Sequence, residues 1–115
     1  MKNMITITGS NGTRYVPADA ILKLEGARNY TVFYQKNGEQ HVESKCIGDV
    51  MKRFSTNEDL KEKFFRVNRS TVVNLNEVKL YKQGRGGTLV LSNEAMIAVA
   101  YRRKAELLRV LHKRK

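Results

Sequence analysis

Apolar and polar residues alternate along most of the chain, and the period changes in two places. Met4-Ile5-Thr6-Ile7-Thr8 has the period of a half-buried strand, and Gly9-Ser10-Asn11-Gly12 reads as a turn. Arg14-Tyr15-Val16 predicts a short strand ended by Pro17, which has no N–H for a ladder. Residues 17–20 fit one helical turn. Ile21-Leu22-Lys23-Leu24-Glu25 predicts a strand, interrupted at Gly26-Ala27-Arg28-Asn29. Tyr30-Thr31-Val32-Phe33-Tyr34-Gln35 is aromatic and β-branched, the composition that suits a pleated surface best. Asn37-Gly38 predicts a type I′ hairpin, with φ > 0 at both residues and residues 40–43 returning antiparallel.

The period then becomes helical. Ile47, Val50, Met51 and Phe54 share one helix face, which predicts a packing helix near 46–55 with Ser44 as its cap. Gly48 inside it costs up to about 1 kcal/mol relative to Ala. Residues 55–59 read as a polar loop and residues 60–63 as a helical turn. Phe64 to Leu75 reads as strand, polar corner, strand: Asn68-Arg69-Ser70 forms the corner, and Thr71-Val72-Val73 restarts the β-branched pattern. Residues 77–81, 88–91 and 95–99 predict further strands, with Gln83-Gly84-Arg85-Gly86-Gly87 as a flexible tip. From Arg102 the spacing is helical again, with Ala105, Leu108 and Leu111, and Leu107 beside them, as the apolar stripe. Residues 112–115 read as a frayed basic tail. The expected fold is mainly β, with antiparallel strands, a packing helix and a short C-terminal helix. No repeat, low-complexity tract or long linker divides residues 1–115, so a single domain is expected.

Charge changes this picture most. The chain carries 22 basic and 11 acidic residues, a formal net charge of +11. The excess rises from +2 over residues 1–45 to +4 over 46–91 and +5 over 92–115. A polyanionic partner follows, nucleic acid ahead of a membrane surface or an acidic protein. No run of about 18 apolar residues exists to span a membrane, and Met1 to Thr8 lacks the apolar segment of a signal peptide. Cys46 is the one cysteine, without a partner for a disulfide or a zinc site. A reducing, cytoplasmic setting is expected.

Catalytic constellations are not evident. His41 falls in a strand and His112 in the basic tail, neither beside a candidate nucleophile. Gly84-Arg85-Gly86-Gly87 is bounded by strands and lacks phosphate-loop spacing. The acidic residues lack calcium-loop spacing. No enzyme activity, cofactor or metal is expected.

Cations and hydrogen-bonding groups do recur together at strand ends: Arg28-Asn29-Tyr30, Asn68-Arg69-Ser70, Arg85 among its glycines, and Tyr101-Arg102-Arg103-Lys104. Arg can fork onto guanine or clamp phosphate, Asn can pair with an adenine edge, and Tyr can stack or bond phosphate. Phosphate contacts position a protein on a duplex, while base contacts specify. Each cluster also has a plainer reading. Asn29 can hold a turn, Tyr30 can be core, Arg69 can pair with a carboxylate, and Asn74 can bond backbone at a strand end. A cationic helix start at Arg102 opposes the macrodipole, which favours an anionic partner there.

The order Ile21-Leu22-Lys23-Leu24-Glu25, Asn29-Tyr30-Thr31, the helix from Ile47, Phe64-Phe65-Arg66-Val67-Asn68-Arg69-Ser70 with Val73-Asn74, and Val99-Ala100-Tyr101-Arg102-Arg103-Lys104 resembles a LytTR-type DNA-binding domain, over about residues 15–110. The resemblance implies an elongated, multi-sheet, mostly antiparallel domain that meets duplex DNA with loops. It further implies the output half of a bacterial response regulator bound to imperfect direct repeats in promoters, as a homodimer on DNA or with a signalling partner. Carried over by position, the contacts fall on Asn29-Tyr30, Arg69 and Tyr101-Arg102. Three departures stand out: Asn68 replaces the family's His, Ala100 its Ser, and Tyr101 the first Arg of its pair. No receiver domain precedes the motif, so either a stand-alone regulator or one signalled through a partner is expected. Two other readings remain. One is an RNA-binding β domain stacking bases on Tyr30, Phe33, Tyr34 and Tyr81. The other is a protein-interaction module for an acidic partner.

Overall fold

The computed structural model describes residues 3–114. Strands β1 (Met4–Gly9) and β2 (Gly12–Pro17) form an antiparallel hairpin. A five-stranded antiparallel sheet has the order β5-β4-β3-β7-β6, from β3 (Ile21–Ala27), β4 (Tyr30–Gln35), β5 (Gln40–Glu43), β6 (Phe64–Asn68) and β7 (Thr71–Asn74). A three-stranded sheet has the order β10-β9-β8, from β8 (Val78–Lys82), β9 (Thr88–Leu91) and β10 (Met96–Ala98). The helices are α1 (Ile47–Phe54), α2 (Glu58–Lys63) and α3 (Lys104–Lys113). The described residues extend 42 × 29 × 26 Å, an elongated body. The mainly antiparallel β architecture agrees with the reading from sequence.

The five-stranded sheet is buried on both faces because its strands carry apolar residues of both parities. Leu24, Phe33, Phe64 and Val72 face one core, with Ile5, Ile7 and Val16 of the hairpin and Ile47, Val50, Phe54 and Leu60 of the helices. Val67, Val73 and Leu22 face a second core, with Leu89, Leu91, Ile97 and Val99 of the small sheet and Leu107 of α3. A register shift between Ile21 and Lys23 allows Ile21 and Leu24 to join the first core while Leu22 joins the second.

Several local expectations change. The strand predicted to break at Gly26 runs on to Ala27. Gly26 is needed for packing instead, since a Cβ there would lie 2.8 Å from Ile47 Cβ, where α1 crosses the sheet. Only Gly38 of the Asn37-Gly38 pair has positive φ (94°), so the turn is not type I′. Gly38 N–H closes a β-turn onto Gln35 O, and Asn37 Oδ1 accepts from Glu39 N–H.

Helix α1 begins after Cys46, not at a Ser44 cap, and has no side-chain cap. The buried Thr31 hydroxyl donates to Lys45 O at 2.8 Å, which ties residues 44–45 to the sheet before the helix starts. Helix α2 starts earlier than expected, at Glu58, because Asn57 caps it by accepting from Leu60 N–H.

The apolar stripe of α3 is rotated from its predicted position. Leu107 is fully buried, with Val110 and Leu111 packed beside it, while Ala105 and Leu108 are exposed. Within the described residues the helix continues into the tail: α3 runs to Lys113, and Arg114 donates to Glu62 O and Asn76 Oδ1. Lys115 lies outside them, as do Met1 and Lys2. Asn74 is fully buried and structural, donating to Ile21 O at 2.9 Å and accepting from Asn76 N–H at 3.0 Å.

Candidate nucleic-acid interface

Strand pairing brings the four polar clusters of the sequence to one region. The antiparallel register of β3 on β7, Glu25 opposite Thr71, places the β3–β4 turn beside the β6–β7 corner. Gly26 N–H donates to Ser70 O at 2.8 Å across that junction. The turn itself is only Arg28-Asn29, between the paired Ala27 and Tyr30. Arg28 and Asn29 are exposed and make no described side-chain hydrogen bond or ion pair. Tyr30, which sequence left open as core, is 45% exposed.

The β6–β7 corner is built by side chains. A register shift between Arg66 and Asn68 bends β6 as it enters the corner, as bulges beside functional loops commonly do. Asn68 Oδ1 accepts from Ser70 N–H at 3.0 Å, and Asn68 Nδ2 donates to Ala98 O at 2.7 Å. Asn68 is therefore a clip between the corner and the segment entering α3. Arg66 Nε and Nη2 both donate to Arg69 O. Those bonds fix the backbone of Arg69 and leave its side chain exposed.

Ala100 N–H donates to Val67 O at 2.9 Å, so residues 98–100 run beside β6. A 3-10 turn, Tyr101–Arg103, precedes α3. Arg103 occupies the helix N-cap position and supplies no capping bond. Its guanidinium is pulled below its usual pKa by burial first, then by the charges of Arg102 and Arg66. Arg103 Nε is buried and has no hydrogen-bond partner among the described residues. This end of α3 is strongly cationic, where the helix dipole is also positive.

The β8–β9 tip is pinned, contrary to the flexible tip expected. A Cβ on Gly86 would lie 2.1 Å from Val99 O, and one on Gly87 2.2 Å from the Tyr81 hydroxyl oxygen. Gly87 also has φ of 94°. Tyr81 Oη donates to Gly86 O at 3.0 Å, Val99 N–H donates to Gly87 O at 3.0 Å, and Lys104 Nζ donates to Gly84 O and Arg85 O at 3.2 and 3.3 Å. Arg85 is thereby held over the ring of exposed Tyr101, 4.7 Å from its centroid.

Among the described residues, none of Arg28, Arg66, Arg69, Arg85, Arg102, Arg103 and Lys104 forms an ion pair; the carboxylates that pair do so with cations elsewhere. Arg66 is the member that sequence reasoning did not place in the site. Its position between apolar Phe65 and Val67 marks it as a strand residue of opposite facing. Its proximity to Arg103 depends on residues 98–103 lying beside β6, which local pattern does not reveal.

The fold is similar to a solved structure described as the LytTr DNA-binding domain of a methyl-accepting/DNA response regulator from Bacillus cereus. The two share 18% sequence identity with a TM-score of 0.75, over 96% of this chain and 98% of that one. No curated protein matches the chain. The family model for the LytTr DNA-binding domain matches residues 11–112, and the chain belongs to that family.

Proposed function

We propose that the chain binds double-stranded DNA sequence-specifically through these loops and acts as a bacterial transcriptional regulator. The observation that carries this reading is the gathering of unpaired cations from the β3–β4 turn, the β6–β7 corner, the β8–β9 tip and the start of α3. Unpaired cations on one region match a phosphate backbone, whose neutralisation dominates affinity for a duplex. In this reading exposed Asn29 and Arg69 reach base edges, Arg102 meets the phosphate backbone, and Tyr30, Ser70 and Tyr101 flank them. Asn68 and Lys104 hold the loops together, so both act as positioning residues.

An RNA-stacking platform is less well supported. Phe33 is fully buried, Tyr81 packs against the second core, and Tyr34 is engaged by Glu25 and Lys23. Burial and the neighbouring Glu25 carboxylate raise the Tyr34 phenol above its usual pKa.

Selection of bound duplexes from a random-sequence pool, with single-stranded and structured RNA as competitors, tests the proposal. A recurrent motif in the retained duplexes is expected, and paired copies in direct orientation if two protomers act together. Retention without sequence enrichment would refute specificity. Displacement by RNA would favour the stacking reading, and loss of all nucleic-acid binding would favour an acidic protein partner.

A further inference from the structure

We propose that Arg66, Arg102 and Arg103 form one phosphate-binding cluster, unpaired in the free protein and completed by a single backbone phosphate of bound duplex DNA. The inference rests on the duplex reading above and adds the site at which the backbone is gripped.

The geometry comes from two segments that meet by backbone contact. Residues 98–100 lie along β6 through the Ala100 to Val67 hydrogen bond, and Arg103 N–H donates to Ala100 O at 2.9 Å, which keeps the 3-10 turn one tight turn away from that contact. Arg66 and Arg103 therefore act on each other electrostatically, although 37 positions separate them in sequence. The charges of Arg102 and Arg66 both act on Arg103, and no carboxylate is paired to any of the three among the described residues. Arg66 spends Nε and Nη2 on the Arg69 carbonyl, a neutral acceptor that leaves its charge uncompensated. Arg103 is half-buried, and its Nε is a buried donor without an acceptor.

Such an arrangement is costly in the free state, for two reasons. Like charges repel, and a buried donor without a partner loses its hydration with nothing in return. Both costs fall when an oxyanion arrives. A phosphodiester offers two oxygens that share one negative charge, and a guanidinium offers a planar fork that matches them. Among the described residues no hydrogen bond holds the Arg103 guanidinium, so it can turn toward the phosphate. Arg66 is then both a positioning residue for Arg69 and a wall of the phosphate site, which couples backbone grip to the base-reading corner.

The proposal predicts opposite effects of one substitution on stability and on binding. Arg103→Met removes the charge and keeps much of the aliphatic packing. Thermal unfolding is measured in chloride and in inorganic phosphate at matched ionic strength, and duplex affinity across a salt series. The expected result is a melting temperature for Arg103→Met in chloride equal to or above that of the unsubstituted protein. Inorganic phosphate should stabilise the unsubstituted protein more than chloride does, and this excess should vanish in the variant. The log–log salt slope for duplex binding should become shallower by about 0.9, the value for one phosphate contact. Arg103→Lys, which keeps the charge, should retain the slope. A lowered melting temperature in chloride together with an unchanged slope would overturn the proposal while leaving duplex binding intact. Failure of the unsubstituted protein to bind any duplex would overturn the duplex reading itself, and this inference with it.

Discussion

Replacing Asn68 with Ala separates a clip from a base reader. The side chain bridges two loops: Nδ2 to Ala98 O at 2.7 Å, and Oδ1 from Ser70 N–H at 3.0 Å. Each neutral hydrogen bond contributes about 0.5–1.5 kcal/mol net. Ala98 and Ser70 are exposed, so water reaches the groups left behind and no full desolvation penalty applies. With both exposed bonds in the lower part of that range, the expected loss is about 1–2 kcal/mol. With a urea slope of about 1.5 kcal/mol/M, the unfolding midpoint falls by about 1 M. Duplex binding should weaken for preferred and random sequences alike, because the corner and the start of α3 lose their shared register. Asn68→Asp sharpens the test. It keeps the acceptor for Ser70 N–H but turns a carboxylate toward Ala98 O and toward phosphate, so it should bind worse than Asn68→Ala. Unchanged urea stability in Asn68→Ala, with loss confined to the preferred sequence, would refute the clip and make Asn68 a base contact.

Asn74→Ala should cost about 2–3 kcal/mol in urea unfolding, since it strips a fully buried Ile21 carbonyl of its partner, and should leave duplex affinity of the folded fraction unchanged. Gly86→Ala should displace the β8–β9 tip from the Val99 carbonyl, visible as lost amide protection at Val99, and should weaken duplex binding. Glu43→Gln weakens a bidentate pair between buried Glu43 and Arg53. The expected loss in thermal or urea unfolding is about 1–3 kcal/mol, below the range for fully buried pairs because Arg53 is 38% exposed.

The strands and α1 were legible because alternation and helical spacing are local properties. Phe64 to Asn74 forms the strand, corner and strand that its pattern implies. What escaped was set by contacts distant in sequence. Gly26 looks like a break, yet it is an opening for Ile47. Gly86 and Gly87 look like a loose tip, yet they are where Val99 and Tyr81 press against the backbone. On α3 the stripe through Ala105, Leu108 and Leu111 and the one through Leu107, Val110 and Leu111 are nearly equal by composition. The second core selects the latter. The candidate site divides in the same way. Its residue types were visible as separate clusters, whereas the Asn68 clip, the Lys104 tether and the Arg66–Arg103 proximity required the tertiary fold. The Asn68 in place of the family's His illustrates the gain: an amide offers a donor and an acceptor at once, and both are used.

The central claim is that duplex DNA is read by these loops, with Arg69 at a base edge. Its most direct test is the ratio of affinities for a selected duplex and a scrambled one, at fixed salt, for the unsubstituted protein and for folded Arg69→Ala. The account predicts a ratio reduced by about 1–3 kcal/mol, roughly 5- to 150-fold, the worth of one bidentate base contact. An unchanged ratio in a folded Arg69→Ala protein would contradict it.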